Sequence, residues 1–161
     1  MGRMYTATIN AVSVSTIAEL FAIMAPADSV VVVHEICITQ DSSETSEQLP
    51  LHIFRTATDQ SAKGSALTPT PLNAGDAAFG GTVRSNILTG ATFATVTTLL
   101  MRQAQNILNG WHILPTPECR IVLSPGVSAT TTGANLVIKL DTAPSAALTI
   151  SGYVVLEEIG G

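Results

Sequence analysis

The runs Ala134-Asn-Leu-Val-Ile-Lys-Leu-Asp141 and Leu148-Thr-Ile-Ser-Gly-Tyr-Val-Val-Leu156 decide the fold of this chain. In the first run Leu136, Ile138 and Leu140 recur at every second position, and the second run alternates in the same way. Alternate side chains of a β-strand lie on the same face. A repeat of apolar residues at every second position therefore predicts that both runs are β-strands. The residues between the runs are typical of a turn.

Both predicted strands also carry apolar residues on their second face. Val137 lies on that face of the first strand, and Tyr153 and Val155 lie on that face of the second. A half-buried antiparallel sheet has a more polar solvent face. We therefore expect the second face to be covered, either by the other sheet of a sandwich or by another subunit. This pattern is typical of a structural protein that assembles with other chains.

Strand patterns recur along the remainder of the chain, separated by turn residues. They occupy residues 5–14, 30–38, 49–56, 91–108, 111–114 and 118–123. About eight short strands with turn signals between them predict an all-β fold, an antiparallel β-sandwich of the jelly-roll type. With 161 residues the chain has the length of one domain, so residues 1–161 are expected to form a single β-sandwich.

One short N-terminal helix is predicted between the first two of these strands. Thr16 and Glu19 have the spacing of a capping box, in which each side chain accepts a hydrogen bond from the backbone N–H of the other residue. Apolar residues follow at helical spacing and a proline closes the run: Ile17, Leu20, Phe21, Met24 and Pro26. We expect this helix to cover one end of the sandwich.

The composition favours association over nucleic-acid binding. Only 12% of the residues are charged, where a soluble domain has about 25%, and 46% are hydrophobic. A surface this poor in charge does little to keep monomers apart. The net charge of -5 provides no basic patch, so direct nucleic-acid binding is not expected. The sequence shows no membrane-spanning run and no signal peptide, which predicts a soluble protein made in the cytoplasm without a membrane partner.

The residues suited to metal binding are few and scattered. No two of the histidines His34, His52 and His112 have the close spacing of a metal site. His34 and Cys37 would point to opposite faces of a strand, and the other cysteine, Cys119, also lies in apolar sequence. Reduced, buried thiols are the expected state of both cysteines. We predict no metal site and no cofactor.

Two further functional hypotheses rest on single residues. Asp141, followed by Thr142 and Ala143, resembles the aspartate of aspartic proteases, in which two aspartates share one proton. The rest of such a protease pattern is absent, and an aspartate that caps a turn is the simpler interpretation. Trp111, the one tryptophan, suits either sugar stacking or a core or interface position. We predict no catalytic residue and no enzymatic activity.

Four segments combine strand-like apolar runs with turn residues. They are Glu19-Leu-Phe-Ala-Ile-Met-Ala-Pro-Ala-Asp-Ser-Val-Val-Val-Val33, Gly110-Trp-His-Ile-Leu-Pro-Thr-Pro-Glu118, Leu140-Asp-Thr-Ala-Pro144 and Leu156-Glu-Glu-Ile-Gly-Gly161. These segments resemble a family of small structural proteins of tailed bacteriophages and prophages. Members of that family are generally interpreted as jelly-roll virion proteins, with capsid decoration or cementing as the usual role. The resemblance spans most of the chain and rests on packing and turn motifs.

The resemblance implies a decoration or cement protein on the capsid surface of the virion. A homotrimer would bind the phage major capsid protein across subunit joints and so stabilise the head against the packaged DNA. The alternative is a receptor- or glycan-binding head domain of a phage fibre or spike, since jelly rolls also serve that role. Aromatic residues make up only 4% of the chain, which counts against a sugar site because such sites use aromatic platforms.

The long extended loop 57–90 is expected to face the capsid or to form an arm exchanged between subunits. Small residues and prolines dominate it, and a connection this long is usually functional. It has too few large apolar groups for a core of its own, so its order is expected to depend on a partner. The candidate interface residues are three apolar side chains to be buried at the joint and two charged ones to set its register: Leu67, Leu72, Phe79, Asp76 and Arg84.

Overall fold

Within the residues that the structure describes, the chain folds into two antiparallel six-stranded sheets. A computed structural model describes residues 2–42, 46–88, 93–126, 128 and 130–160. In chain order the strands are β1 (Arg3–Val14), β2 (Ala18–Met24), β3 (Val30–Gln40), β4 (Gln48–Arg55), β5 (Ser65–Leu67), β6 (Thr70–Pro71), β7 (Thr82–Ser85), β8 (Thr98–Asn106), β9 (Trp111–Ile113), β10 (Ile121–Leu123), β11 (Asn135–Leu140) and β12 (Leu148–Ile159). Short 3₁₀ helices are formed by Ile107–Asn109, Pro117–Cys119 and Thr132–Ala134. The all-β prediction is confirmed.

The chain passes repeatedly from one sheet to the other. The first sheet has the order β10-β3-β12-β1-β6, with β9 also paired to β3. The second sheet has the order β5-β7-β2-β11-β4-β8. The first and last strands of the chain lie side by side, with Arg3 opposite Glu158 and Val14 opposite Leu148. Most neighbours in each sheet are therefore distant in sequence.

The main core lies between the two sheets. One hydrophobic cluster joins inward-facing residues of both, with Leu136, Ile138 and Leu140 from β11 and Val154 and Leu156 from β12 among them. Burial alternates along β12 from its first residue to the eleventh, as expected for a strand with one face in the core. The strand predictions for residues 134–141 and 148–156 are confirmed.

The second face of β11 is covered by the chain itself. Val137 lies in a second buried cluster with Ala22, Phe54, Ile87 and Ala94. Ile87 and Ala94, which lie between β7 and β8 in the sequence, pack on the outer face of the second sheet. The cover that the sequence predicts for Val137 is thus supplied neither by the facing sheet nor by another subunit.

The predicted N-terminal helix is wrong, because its residues form a strand. All seven residues of β2 are buried, and the strand pairs with β7 and β11. Thr16 and Glu19 form no capping box, because Glu19 pairs its backbone with Ile87 and its side chain accepts a hydrogen bond from the Ala94 N–H. Short apolar runs suit a fully buried strand as well as a helix, and the neighbouring strands decide between the two.

The segment 57–90 is not one extended loop in its described part. It contains β5, β6 and β7, which pair with β7, β1 and β2 respectively. Strands of two to four residues are too short to show a period in the sequence. The segment is therefore ordered against the sheets of its own chain. Residues 89–92, which include the end of this segment and the start of the strand predicted over 91–108, lie outside the described residues.

Candidate interaction surfaces

The apolar candidates Leu67, Leu72 and Phe79 lie in different environments. Leu67 and Phe79 are half-buried and pack against the main core. The Phe79 ring meets the Tyr5 ring edge-on, with 5.2 Å between the ring centroids. Leu72 is 60% exposed. Of these three, Leu72 is the exposed one, because the chain covers a large part of the other two itself.

The two charged candidates make local hydrogen bonds. Arg84 lies in β7, and its guanidinium donates to the carbonyl oxygens of Lys63 at 2.7 Å and Gly64 at 3.1 Å. The Asp76 carboxylate accepts a hydrogen bond from the Asn73 side chain at 3.2 Å. These bonds fix the shape of the segment itself, and a role for Arg84 and Asp76 at a joint between subunits stays a prediction.

Strand β8 is a long exposed edge of the second sheet. Residues 98–104 are all exposed, and Leu99, Leu100 and Met101 are large apolar residues with exposed fractions of 49%, 40% and 38%. The other edge strands in the described part of the chain, β5, β6, β9 and β10, have two or three residues each. Residues 7–14 of β1 also have no strand on the side of β6, which pairs only with Tyr5 and Thr6. A bare edge recruits further strands, so proteins usually keep their edges short or charged. Among these edges β8 alone is both long and lined by large exposed apolar residues, because the open edge of β1 is interrupted by a register shift between Ile9 and Val12 and exposes no large apolar side chain.

Alternate main-chain groups of β8 point to the open edge. In the neighbouring strand β4, the Pro50 carbonyl oxygen accepts the Asp141 N–H at 3.0 Å on the side of β11, so Pro50 faces away from β8. Its cross-strand pair with Ala104 is therefore not hydrogen-bonded, because residues of an antiparallel strand face its two neighbours in turn. His52 and Arg102, the pair two residues further along the two strands, are likewise not hydrogen-bonded to each other. The N–H and C=O groups of Arg102 and Ala104 face solvent at this edge.

A polar cluster lies on the outer face of the first sheet. Glu35 Oε1 accepts a hydrogen bond from Tyr153 Oη at 2.5 Å and lies 2.7 Å from His112 Nε2. Cys37 is the cross-strand partner of both His112 and Tyr153. The Tyr153 hydroxyl and His112 lower the pKa of Glu35, and hydrogen bonding to this carboxylate raises the pKa of Tyr153 to about 12. The cluster ties the surfaces of β3, β9 and β12 together.

Tyrosine ionisation tests the polar cluster. We expect Glu35→Gln to lower the pKa of Tyr153 from about 12 toward its ordinary value of 10.0, because the carboxylate that holds the phenol proton is lost. Ultraviolet absorbance during alkaline titration measures the change, with Tyr153→Phe as the spectrum to subtract. Because the pKa of Tyr153 is raised in the folded protein, the hydrogen bond from Tyr153 to Glu35 stabilises the fold below pH 10.0. This stabilisation is lost as the pH rises toward 12. Glu118→Gln, at an exposed site, should leave the titration unchanged.

A charged cluster lies on the outer face of the second sheet. Asp141 Oδ1 is 3.2 Å from Lys139 Nζ, and Asp141 Oδ2 is 3.7 Å from His52 Nδ1. The Lys139 ammonium also lies over the Phe93 ring, 4.9 Å from its centroid. Asp141, the residue that resembles a protease aspartate, therefore takes part in a local polar network at the end of β11.

The histidines and cysteines form no metal cluster in the described part of the chain. His34 Nε2 lies 2.8 Å from Glu157 Oε2, so this histidine, like the other two, has a carboxylate beside it. Both cysteines are free thiols. Cys37 is half-buried, but Cys119 is exposed in a 3₁₀ helix, so the prediction of two buried thiols is wrong for Cys119. Pro117 begins that helix, so the strand predicted over 118–123 starts only at Ile121, after Cys119.

Trp111 is a core residue. Its side chain is 2% exposed, and its Nε1 donates a hydrogen bond to Gln103 Oε1 at 3.1 Å. It borders a small apolar cavity between the sheets together with Leu20, Ile38 and Leu140. Burial removes the indole ring as a platform on which a sugar would stack.

Comparisons with known proteins add no relatives. No protein-family model matches this sequence, and no significant match was found among curated proteins or solved structures. The resemblance to phage structural proteins therefore stays a hypothesis. None of the helices in the described residues is long and apolar enough to cross a membrane. The structure defines the chain as an all-β protein of two antiparallel sheets with a long open edge at β8.

Proposed function

We propose that this protein is a virion structural protein of a tailed phage that decorates or cements the capsid. The observation that carries the proposal is the exposed β8 edge with its three apolar side chains. A protein that acts by adhesion needs a surface that gains free energy when covered. An open edge strand offers both unpaired main-chain groups and apolar area to a partner. The jelly-roll type of the sandwich is part of the proposal, and the two antiparallel sheets support it.

The low charge of the chain agrees with an adhesive role. Only 12% of the residues are charged, so little charge has to leave water when the surface is covered. An interface of ordinary size buries about 1,600 Å² in total. Placed across a joint between major capsid protein subunits, this area stabilises the shell against the pressure of the packaged DNA. The protein acts as a homotrimer on the capsid surface after synthesis in the host cytoplasm.

The alternative, a receptor- or glycan-binding head domain, has less support. A sugar site depends on aromatic side chains that present a face to solvent. Trp111 is buried, and the hydroxyl of Tyr153 is held by Glu35. A glycan array would show binding if this alternative were correct.

Co-sedimentation with purified empty capsids of tailed phages tests the proposal. The wild-type protein should pellet with capsids and raise the temperature at which the shells come apart. Leu99→Asp should weaken binding by about tenfold or more, because a new charge in the β8 surface must be desolvated when that surface is covered. Leu72→Asp places the same charge at another exposed leucine outside β8 and should bind as the wild type does.

The outcomes separate the two candidate capsid-facing regions. Loss of binding in Leu72→Asp with retention in Leu99→Asp would assign the capsid surface to segment 57–90 and overturn the role of β8. A wild-type protein that does not pellet with capsids would contradict the decoration function. Light scattering should show a mass near three chains, and a stable monomer at micromolar concentration would contradict the homotrimer.

A further inference from the structure

We propose that the β8 edge binds an extended segment of the capsid shell protein as an additional antiparallel strand, and that this segment carries a carboxylate next to Arg102. The inference rests on the proposed function and names the occupant of the same surface.

The main chain of β8 requires an extended occupant. The N–H and C=O groups of Arg102 and Ala104 face outward, as the pairing of β4 with β8 shows. Each such group that is covered without a hydrogen bond costs free energy, so an irregular partner surface is unfavourable. A strand laid along β8 supplies a donor and an acceptor at every second residue. Its alternate side chains would then contact Leu99 and Met101 on the two faces of the sheet.

The one charged residue of β8 distinguishes between the strands that could pair with its open edge. Arg102 is the one charged residue of the strand, and no carboxylate pairs with it among the described residues. If two β8 strands paired antiparallel over most of their length, Arg102 would lie opposite or diagonal to Arg102 of the second copy. Like charges at such positions are destabilising. A segment of another protein with an aspartate or glutamate at this position gains a cross-strand ion pair instead.

The remaining edges of this chain offer no better partner from a second copy. In the described residues β5, β9 and β10 have three residues each and β6 has two, so none of them matches the nine residues of β8. Residues 7–14 of β1 have no strand on their second side, but a register shift between Ile9 and Val12 interrupts this edge, and β1 contains no carboxylate to pair with Arg102. A nine-residue strand is about 30 Å long, and a three-residue edge covers only about 10 Å of it. The shell protein, the partner in the proposed function, is therefore the favoured source of the strand.

Two pairs of variants test the inference with the full-length protein and purified empty capsids. Ala104→Pro removes an outward N–H and leaves the hydrogen bonds to β4 in place, while Ala104→Val keeps the N–H. We expect Ala104→Pro to bind capsids about tenfold more weakly and Ala104→Val to bind as the wild type does. Arg102→Glu should weaken binding several-fold by repelling the carboxylate, and Arg102→Lys should retain it. Circular dichroism shows whether each variant folds. If Ala104→Pro does not fold, the two Arg102 variants test the inference.

Each result supports or overturns the inference. Wild-type binding in Ala104→Pro would show that no strand is added at β8, while the decoration function would stand. Wild-type binding in Arg102→Glu would show that the partner segment carries no carboxylate at this position. A fall in the oligomer mass of Ala104→Pro, measured by light scattering, would show that a second copy occupies the edge. If the wild type itself binds no capsid, the proposed function fails and this inference fails with it.

Discussion

Replacement of Phe21 by alanine is expected to lower the free energy of unfolding by about 3–5 kcal/mol. Phe21 is fully buried in the main core, on a strand that lies between β7 and β11 in the second sheet. Removal of the ring leaves a cavity that the strands on either side cannot close without losing their pairing. Urea unfolding followed by fluorescence measures the change, because Trp111 lies in the same core.

Leu72→Ala is the matched control for this large effect. It truncates an apolar side chain that is 60% exposed, so we expect a change within about 0.5 kcal/mol. A Phe21→Ala variant as stable as Leu72→Ala would contradict the placement of β2 between its two neighbours. The pair of variants also separates core packing from any general effect of losing apolar surface.

Glu19→Ala is the second substitution with a large expected effect, a loss of about 2–3 kcal/mol. Glu19 is fully buried, its Oε1 accepts the Ala94 N–H, and its Oε2 has no hydrogen-bond partner among the described residues. Alanine leaves the Ala94 N–H without its acceptor and opens a void beside Ile87 and Ala94. Glu19→Gln keeps an acceptor oxygen and removes the buried charge, so it should be more stable than the wild type at neutral pH. Urea unfolding of both variants measures the difference.

The pH dependence of the Glu19→Gln effect follows from the raised pKa of Glu19. Burial raises this pKa, against the Ala94 hydrogen bond and the charges of Lys139 and Lys63, which lower it. The folded protein then holds the Glu19 proton more tightly than the unfolded chain does. The contribution of protonated Glu19 to stability is therefore present below pH 4.5 and is lost as the pH rises through the folded-state pKa of Glu19. The glutamine side chain does not titrate, so the Glu19→Gln variant does not lose stability in this way. The stability gain of Glu19→Gln should therefore grow with pH above 4.5 and then level off, and a gain independent of pH would contradict this account.

Strand β12, which the sequence predicts correctly, has one face in the core and the other face less buried. In β12, buried and half-buried residues alternate from Leu148 to Glu158, and this alternation is visible in the residue types themselves. The same signal is absent from β2, where Glu19 and Ala22 are as buried as Phe21, so its sequence shows helical spacing instead of alternation. Strands β5 to β7 were missed because two to four residues cannot show a period.

The candidate interface was only partly predictable. Leu72 is exposed as an interface residue must be, but Leu67 and Phe79 pack on the core of their own chain. The β8 surface was not predicted, although Leu99, Leu100 and Met101 stand together in the sequence. Three consecutive apolar residues occur as readily in a buried strand as in an exposed one, so nothing local marks them as an edge.

By itself the sequence determined the all-β class, because alternation along a strand depends on neighbouring residues only. It also determined the low charge of the surface, which is a matter of composition. The tertiary structure alone decided that β2 is a strand, that Glu19 is buried under Ala94, and that β8 lies at an open edge. These features depend on which strands pair, and the paired strands are distant along the chain, so no short stretch of sequence records the choice.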